Sequence, residues 1–148
     1  MDLIMYNSAN KYFNKFINDN FDINDEKTSH KINHTYNVVE NAKYLCKCLK
    51  LDDINTELAM TVALLHDIGR FDQAKEIKTF REDITSLDHA TFGVKLLFEK
   101  GQIKNYVDNE SYYPIIEKAG ILLERIFTED KMLTRYLFNN ATPGTEPP

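Results

Sequence analysis

His66 and Asp67 stand together at the end of the apolar run Val62-Ala63-Leu64-Leu65. Two ionisable groups in that position are costly to desolvate unless something pairs with them. Adjacent helical residues differ by about 100° in direction, so a cation near the helix end is within reach of an imidazole nitrogen and a carboxylate oxygen together. That donor pair suits Zn²⁺, Mn²⁺ or Fe²⁺. The alternative is structural: the histidine hydrogen-bonds a backbone carbonyl and the aspartate caps the next turn. A third donor, His34, has Ile32, Val38 and Val39 as neighbours, where a separate helix begins. Metal sites in helical bundles are built this way, from inward side chains on facing helices. His30, one turn earlier, either shares the face of His34 or is an ordinary surface histidine. Cys46 and Cys48 would point about 200° apart on a helix, which suits neither a disulfide nor a thiolate metal site.

Positioning these donors requires helices, and the apolar period is helical nearly throughout, with no runs of alternating β-branched residues. Ile4, Met5, Tyr12, Phe13, Phe16 and Ile17 form a stripe on a first helix from about Leu3 to Ile17, broken by the turn-forming stretch Asn18 to Asp25. A second stripe, Val38, Val39, Ala42, Leu45, Cys46 and Leu49, predicts a helix from Ser29 or Lys31 to Leu49, with Ser29 as N-cap. Asp52, Asp53 and Asn55 offer caps for a third helix from about Asn55 to Ile68. Its second half is apolar on nearly all sides and belongs in the centre of a bundle, and Gly69 is placed to end it. A long connection runs from Arg70 to Leu87. A fourth helix, Ala90 to Lys100, is capped by Asp88 and closed by Gly101; a fifth opens at Pro114 and runs to about Phe127; a short sixth starts at Thr128 or Asp130. The expectation is an all-α, single-domain helical bundle of five to six helices.

The 148 residues suffice for one domain with its own core. The net charge of −5 is spread evenly, −3 on the first 74 residues and −2 on the second 74, so there is no basic pole. Binding to nucleic-acid polymers or anionic membranes depends on clustered Lys and Arg and is not expected. No apolar run approaches the roughly 18 residues of a membrane span, the first residues lack a basic segment followed by an apolar one, and the two cysteines read as reduced. The expected location is cytoplasmic.

Two segments, Lys31-Ile32-Asn33-His34-Thr35-Tyr36-Asn37-Val38 and Ala63-Leu64-Leu65-His66-Asp67-Ile68-Gly69-Arg70-Phe71, resemble the first two motifs of the HD superfamily of metal-dependent phosphohydrolases. A third, Ser86-Leu87-Asp88-His89-Ala90-Thr91-Phe92-Gly93, resembles a helix start in many members, where a histidine faces the pocket. The resemblance covers roughly Asp25 to Lys100 and implies an all-α bundle; the chain is read as one such domain over residues 1–140, and the stretch 141–148, which holds three of the four prolines, as a disordered tail. It implies His34, His66 and Asp67 as ligands of a divalent ion, with Mn, Mg, Fe, Zn and Ni not distinguished. It also implies Asp67 as the residue orienting the attacking water, and His89 as a donor for a second metal or for substrate. Arg70 and Lys31 are candidates for holding a phosphate. The expected partner is a small phosphorylated molecule, such as a nucleotide, with a homo-oligomer left open.

The family pattern ends with an aspartate on a later helix, in a run such as Arg-x-Ala-Asp. Here Glu117-Lys118-Ala119 continues as Gly120-Ile121-Leu122-Leu123, no histidine follows His89, and Asp130 is the only aspartate after Asp108. Three protein ligands can serve a catalytic metal, but a missing carboxylate removes charge that balances the ion. Two functions follow as expectations: hydrolysis of a phosphomonoester or phosphodiester, or a catalytically degenerate HD-fold module that binds a ligand or protein.

Overall fold

The computed structural model describes residues 3–71 and 95–119. Within them the chain forms α1 (Ile4–Asn20), α2 (Glu26–Cys48), α3 (Asp53–Leu65), a π-helical turn (Lys95–Glu99), the short α4 (Ile103–Tyr106) and a 3₁₀ turn (Glu110–Tyr112) leading into a helical segment at 113–119. There is no strand among the described residues. The all-α expectation holds.

α3 is the central element, packed mainly on α2 and then on α1. Leu58, Met60, Ala63, Leu64 and Leu65 are buried, as the continuous apolar pattern predicts, and so are Thr56, Glu57 and Thr61. Thr61 Oγ1 donates to the Glu57 carbonyl at 2.8 Å, which satisfies a hydroxyl that would otherwise be costly inside. Asp52 caps α3 by accepting from the Asn55 N–H at 2.8 Å.

Several boundaries differ from expectation. α2 begins a turn before Ser29, because Asp25 is the cap: its carboxylate accepts from both the backbone N–H and the hydroxyl of Thr28 at 3.0 Å. The stripe on α1 is rotated: Tyr6, Ala9, Phe13 and Ile17 are buried, while Ile4 is 74% exposed. Spacings of three and four residues connect the observed set, and Ile4 falls off that face. Leu49 is 68% exposed although it continues the α2 stripe three residues after the buried Cys46, because α2 ends at Cys48 and Leu49 is its C-cap. Gly69 does not terminate α3 in a left-handed cap. α3 stops at Leu65, and Gly69 is buried inside a further helical segment at 68–71. Gly101 does take the positive φ of a cap, +74°, just after the turn at 95–99.

Phe13, Phe71 and Phe21 meet edge to face, with centroids 5.6 Å (Phe13–Phe71) and 5.8 Å (Phe21–Phe71) apart. This cluster ties the segment after α3 to α1 and to the loop that follows it. Tyr112 and Tyr113 are half-buried against the core, and the Tyr113 hydroxyl donates to the Val107 carbonyl at 2.6 Å. Cys46 is buried and Cys48 exposed, both free. The connection 72–87, the start of the fourth helix at Asp88, the fifth helix beyond 119, the sixth helix and the tail 141–148 lie outside the described residues. No described helix is long and apolar enough to cross a membrane.

Candidate metal centre

The site is built where α3 stops. The His66 N–H reaches back only to the Ala63 carbonyl, at 3.4 Å, and the Asp67 carbonyl accepts from the N–H groups of Arg70 and Phe71 at 3.0 and 3.2 Å. His66 and Asp67 therefore occupy a two-residue break between helical segments. Burial of Leu64 and Leu65 before the break and of Ile68 and Phe71 after it fixes where the break sits. α2 supplies the facing wall. Thr35, Val38 and Val39 are buried against the core, which turns His34 toward the end of α3.

One ligand atom from each of His34, His66 and Asp67 lies within 4.8 Å of the others, and all three residues are half-buried. The two imidazoles meet with centroids 5.6 Å apart at 61°. His66 Nδ1 is 2.6 Å from the Ala63 carbonyl oxygen, which can only accept, so Nδ1 carries a proton and Nε2 is the nitrogen turned toward the site. That nitrogen is 3.5 Å from Asp67 Oδ2. A nitrogen and a carboxylate oxygen at this separation can serve as two ligand atoms of one cation. The structural alternative for His66, a bond to a backbone carbonyl, is thus also present and serves to orient the ring, as partners of metal-binding histidines do.

His34 is pushed down to about 4 from its ordinary 6.5, first by burial and then by the neighbouring His66, with Asp67 acting in the opposite direction. Its ring is neutral at physiological pH and available as a ligand. The donor set of two imidazoles and a carboxylate fits a divalent ion of the Zn, Mn or Fe type and does not select one.

Lys31, one turn before His34, sends its ammonium across to Asp67, where Nζ donates to Oδ2 at 3.4 Å. The two side chains are 17% and 15% exposed. Burial lowers the Lys31 pKa, the Asp67 carboxylate raises it, and Arg70 lowers it again. Arg70, half-buried in the segment 68–71, is thus close enough for its charge to be felt at Lys31. Of the two cations named as candidates for holding a phosphate, Lys31 engages the Asp67 carboxylate and Arg70 acts on Lys31 through its charge. His30 is exposed and is not part of the cluster. His89 and Asp130 lie outside the described residues. The residue types name a backbone carbonyl as a partner for His66 but not which one; it is that of Ala63, three residues earlier.

The family model described as HD domain matches residues 32–133, more than half of the 148-residue chain. The chain belongs to the HD domain family. The matched span contains His34, His66, Asp67, Arg70, His89 and Asp130, while Lys31 falls one residue before it. No curated protein and no solved structure matches the chain. Membership carries the HD domain's general character, a superfamily of metal-dependent phosphohydrolases that includes degenerate members, and the His-His-Asp cluster here is able to hold a divalent metal.

Proposed function

We propose that this HD domain is a metal-dependent phosphohydrolase that holds a divalent ion with His34, His66 and Asp67 and hydrolyses a small phosphorylated molecule, for example a nucleotide. The observation that carries the reading is the convergence of three ligand atoms from two separate helical regions within 4.8 Å, in a chain of this family. An ion there supplies a water of lowered pKa and offsets charge on a phosphoryl oxygen.

The chain's own groups do the rest. Ala63 holds the His66 ring so that Nε2 faces the site. Burial keeps His34 unprotonated. Asp67 contributes the single negative charge of the cluster, and its carboxylate is the acceptor that orients the attacking water and takes its proton. Arg70 offers a fork of donors for a phosphoryl group, with Lys31 as a second positive group beside it. In an acidic protein of net charge −5 these cations, with the ion, concentrate positive charge where an anion must bind. His89 and Asp130 are further candidates, for a second metal or substrate and for the closing ligand. The expected partner remains a small phosphorylated molecule in a cytoplasmic setting, with no membrane or nucleic-acid polymer.

Protein purified without chelator is expected to retain about one equivalent of metal. With Mn²⁺ or Mg²⁺ it should turn over a substrate in a phosphatase and phosphodiesterase screen, and His66→Ala or Asp67→Ala should abolish that turnover. Turnover untouched by both substitutions would sink the proposal. A second reading, a ligand- or protein-binding module without catalysis, is favoured by the lack of Arg-x-Ala-Asp after Asp108. Nucleotide binding by thermal shift without hydrolysis at any metal concentration selects it.

A further inference from the structure

We propose that Lys31 is a resident counter-ion that competes with a divalent metal for Asp67, so that metal entry displaces its ammonium from the carboxylate. The inference rests on the metal reading above and deepens it. Asp67 Oδ2 is the contested atom: it lies 3.4 Å from Lys31 Nζ and 3.5 Å from His66 Nε2. A cation shared by His66 and Asp67 must use this neighbourhood, and the ammonium already stands beside it. With both side chains largely withdrawn from water, solvent screens the repulsion between the two cations only weakly.

The geometry shows which partner yields. Asp67 and His66 are fixed by the helix break and by the Ala63 carbonyl, whereas Lys31 carries its charge on a four-carbon stem. The Lys31 backbone stays anchored in α2, where its carbonyl accepts from Thr35 Oγ1 at 3.1 Å. Only the side chain has to move. The charge of Arg70 opposes that of Lys31 and favours the departure. Without metal, the ammonium neutralises Asp67 beside the two rings, so the fold does not depend on the ion. With metal, the displaced ammonium joins Arg70 as positive charge available to an anionic ligand.

The test uses the full chain stripped of metal, with MnCl₂ alone as the probe in calorimetric titration and in thermal melts. Lys31→Met removes the charge at nearly constant volume, and Lys31→Arg restores it. Metal-free K31M should melt below wild type, bind Mn²⁺ about tenfold more tightly, and gain more in Tm from Mn²⁺ than wild type does. K31R should resemble wild type, a rescue that a merely structural role for the stem does not produce. If K31M folds poorly, Lys31→Gln makes the same comparison. Folded K31M or K31Q that binds Mn²⁺ no more tightly than K31R overturns the competition while leaving the metal site standing. If wild type, K31M and Asp67→Ala all show no Mn²⁺ binding, the metal reading fails and takes this inference with it.

Discussion

Glu57 and Asp67 are both carboxylates withdrawn from solvent, one within α3 and the other just past its end. Glu57 is 7% exposed, and its Oε1 accepts from the Tyr6 backbone N–H at 2.9 Å. Tyr6 lies in the first turn of α1, whose N-cap, Leu3, takes a left-handed φ of 54° and supplies no side-chain cap. Glu57 thus satisfies an orphan donor at the positive end of another helix. Asp67 faces an ammonium and two imidazoles. Burial of a carboxylate therefore does not by itself mark a reactive site. A carboxylate matched to a backbone donor is structural, whereas one set among side-chain metal donors, with an ammonium beside it, is the candidate for chemistry.

Substitution at the two ends of α3 should separate these roles. Asp67→Ala has the largest expected effect: Mn²⁺ affinity and any phosphohydrolase turnover fall by more than about 100-fold, read by titration and product release, while the circular dichroism spectrum stays helical. Glu57→Ala should do the reverse. It leaves the Tyr6 N–H buried without its acceptor and lowers stability by about 1–3 kcal/mol in urea unfolding, with Mn²⁺ affinity unchanged. A Glu57→Ala protein that folds normally but loses Mn²⁺ would erase the distinction.

Acid should act at the Asp67 end through His34, which faces His66, Asp67, Lys31 and His30. Its folded pKa of about 4 lies below the ordinary 6.5, so between those values the unfolded chain holds a proton that the folded chain does not. The contribution of His34 to stability is then unfavourable at low pH, shrinks as pH rises from about 4 to 6.5, and levels off above. Melts of metal-free protein across that window should show Tm falling with acid, and His34→Gln should fall less. Equal slopes would contradict a buried neutral His34.

The smallest effect is expected from a third carboxylate on the same helix. Asp52 is an exposed cap, and Asp52→Ala should cost about 1 kcal/mol in unfolding with neither metal nor activity altered.

Much of this organisation can be read from residue types. The all-round apolar stretch of α3 marks it as central, and Asp52 stands where a cap is needed. His34, His66 and Asp67 were nameable because ionisable groups beside apolar runs demand partners. The phase of α1 was not legible, because Ile4, Met5 and Tyr6 offer two overlapping stripes and only packing against α3 selects the one through Tyr6 and Ala9. Gly69 is ambiguous in the sequence because a glycine after a helix fits a cap as well as a buried turn, and Phe71 decides between them by joining that segment to the aromatic cluster with Phe13 and Phe21. Glu57 escaped notice because its partner, the Tyr6 N–H, is a backbone group far away in sequence.

Residue pattern alone carries the all-α character, the placing of His34 on the second helix and of His66 and Asp67 at the end of the third, and the likeness to the HD domain, since these depend on local periodicity and on motif spacing. Tertiary structure decided that His34 meets His66 and Asp67, and that Lys31 spends its charge on Asp67. Distances between separate helices depend on how their side chains pack, and local residue pattern does not encode them.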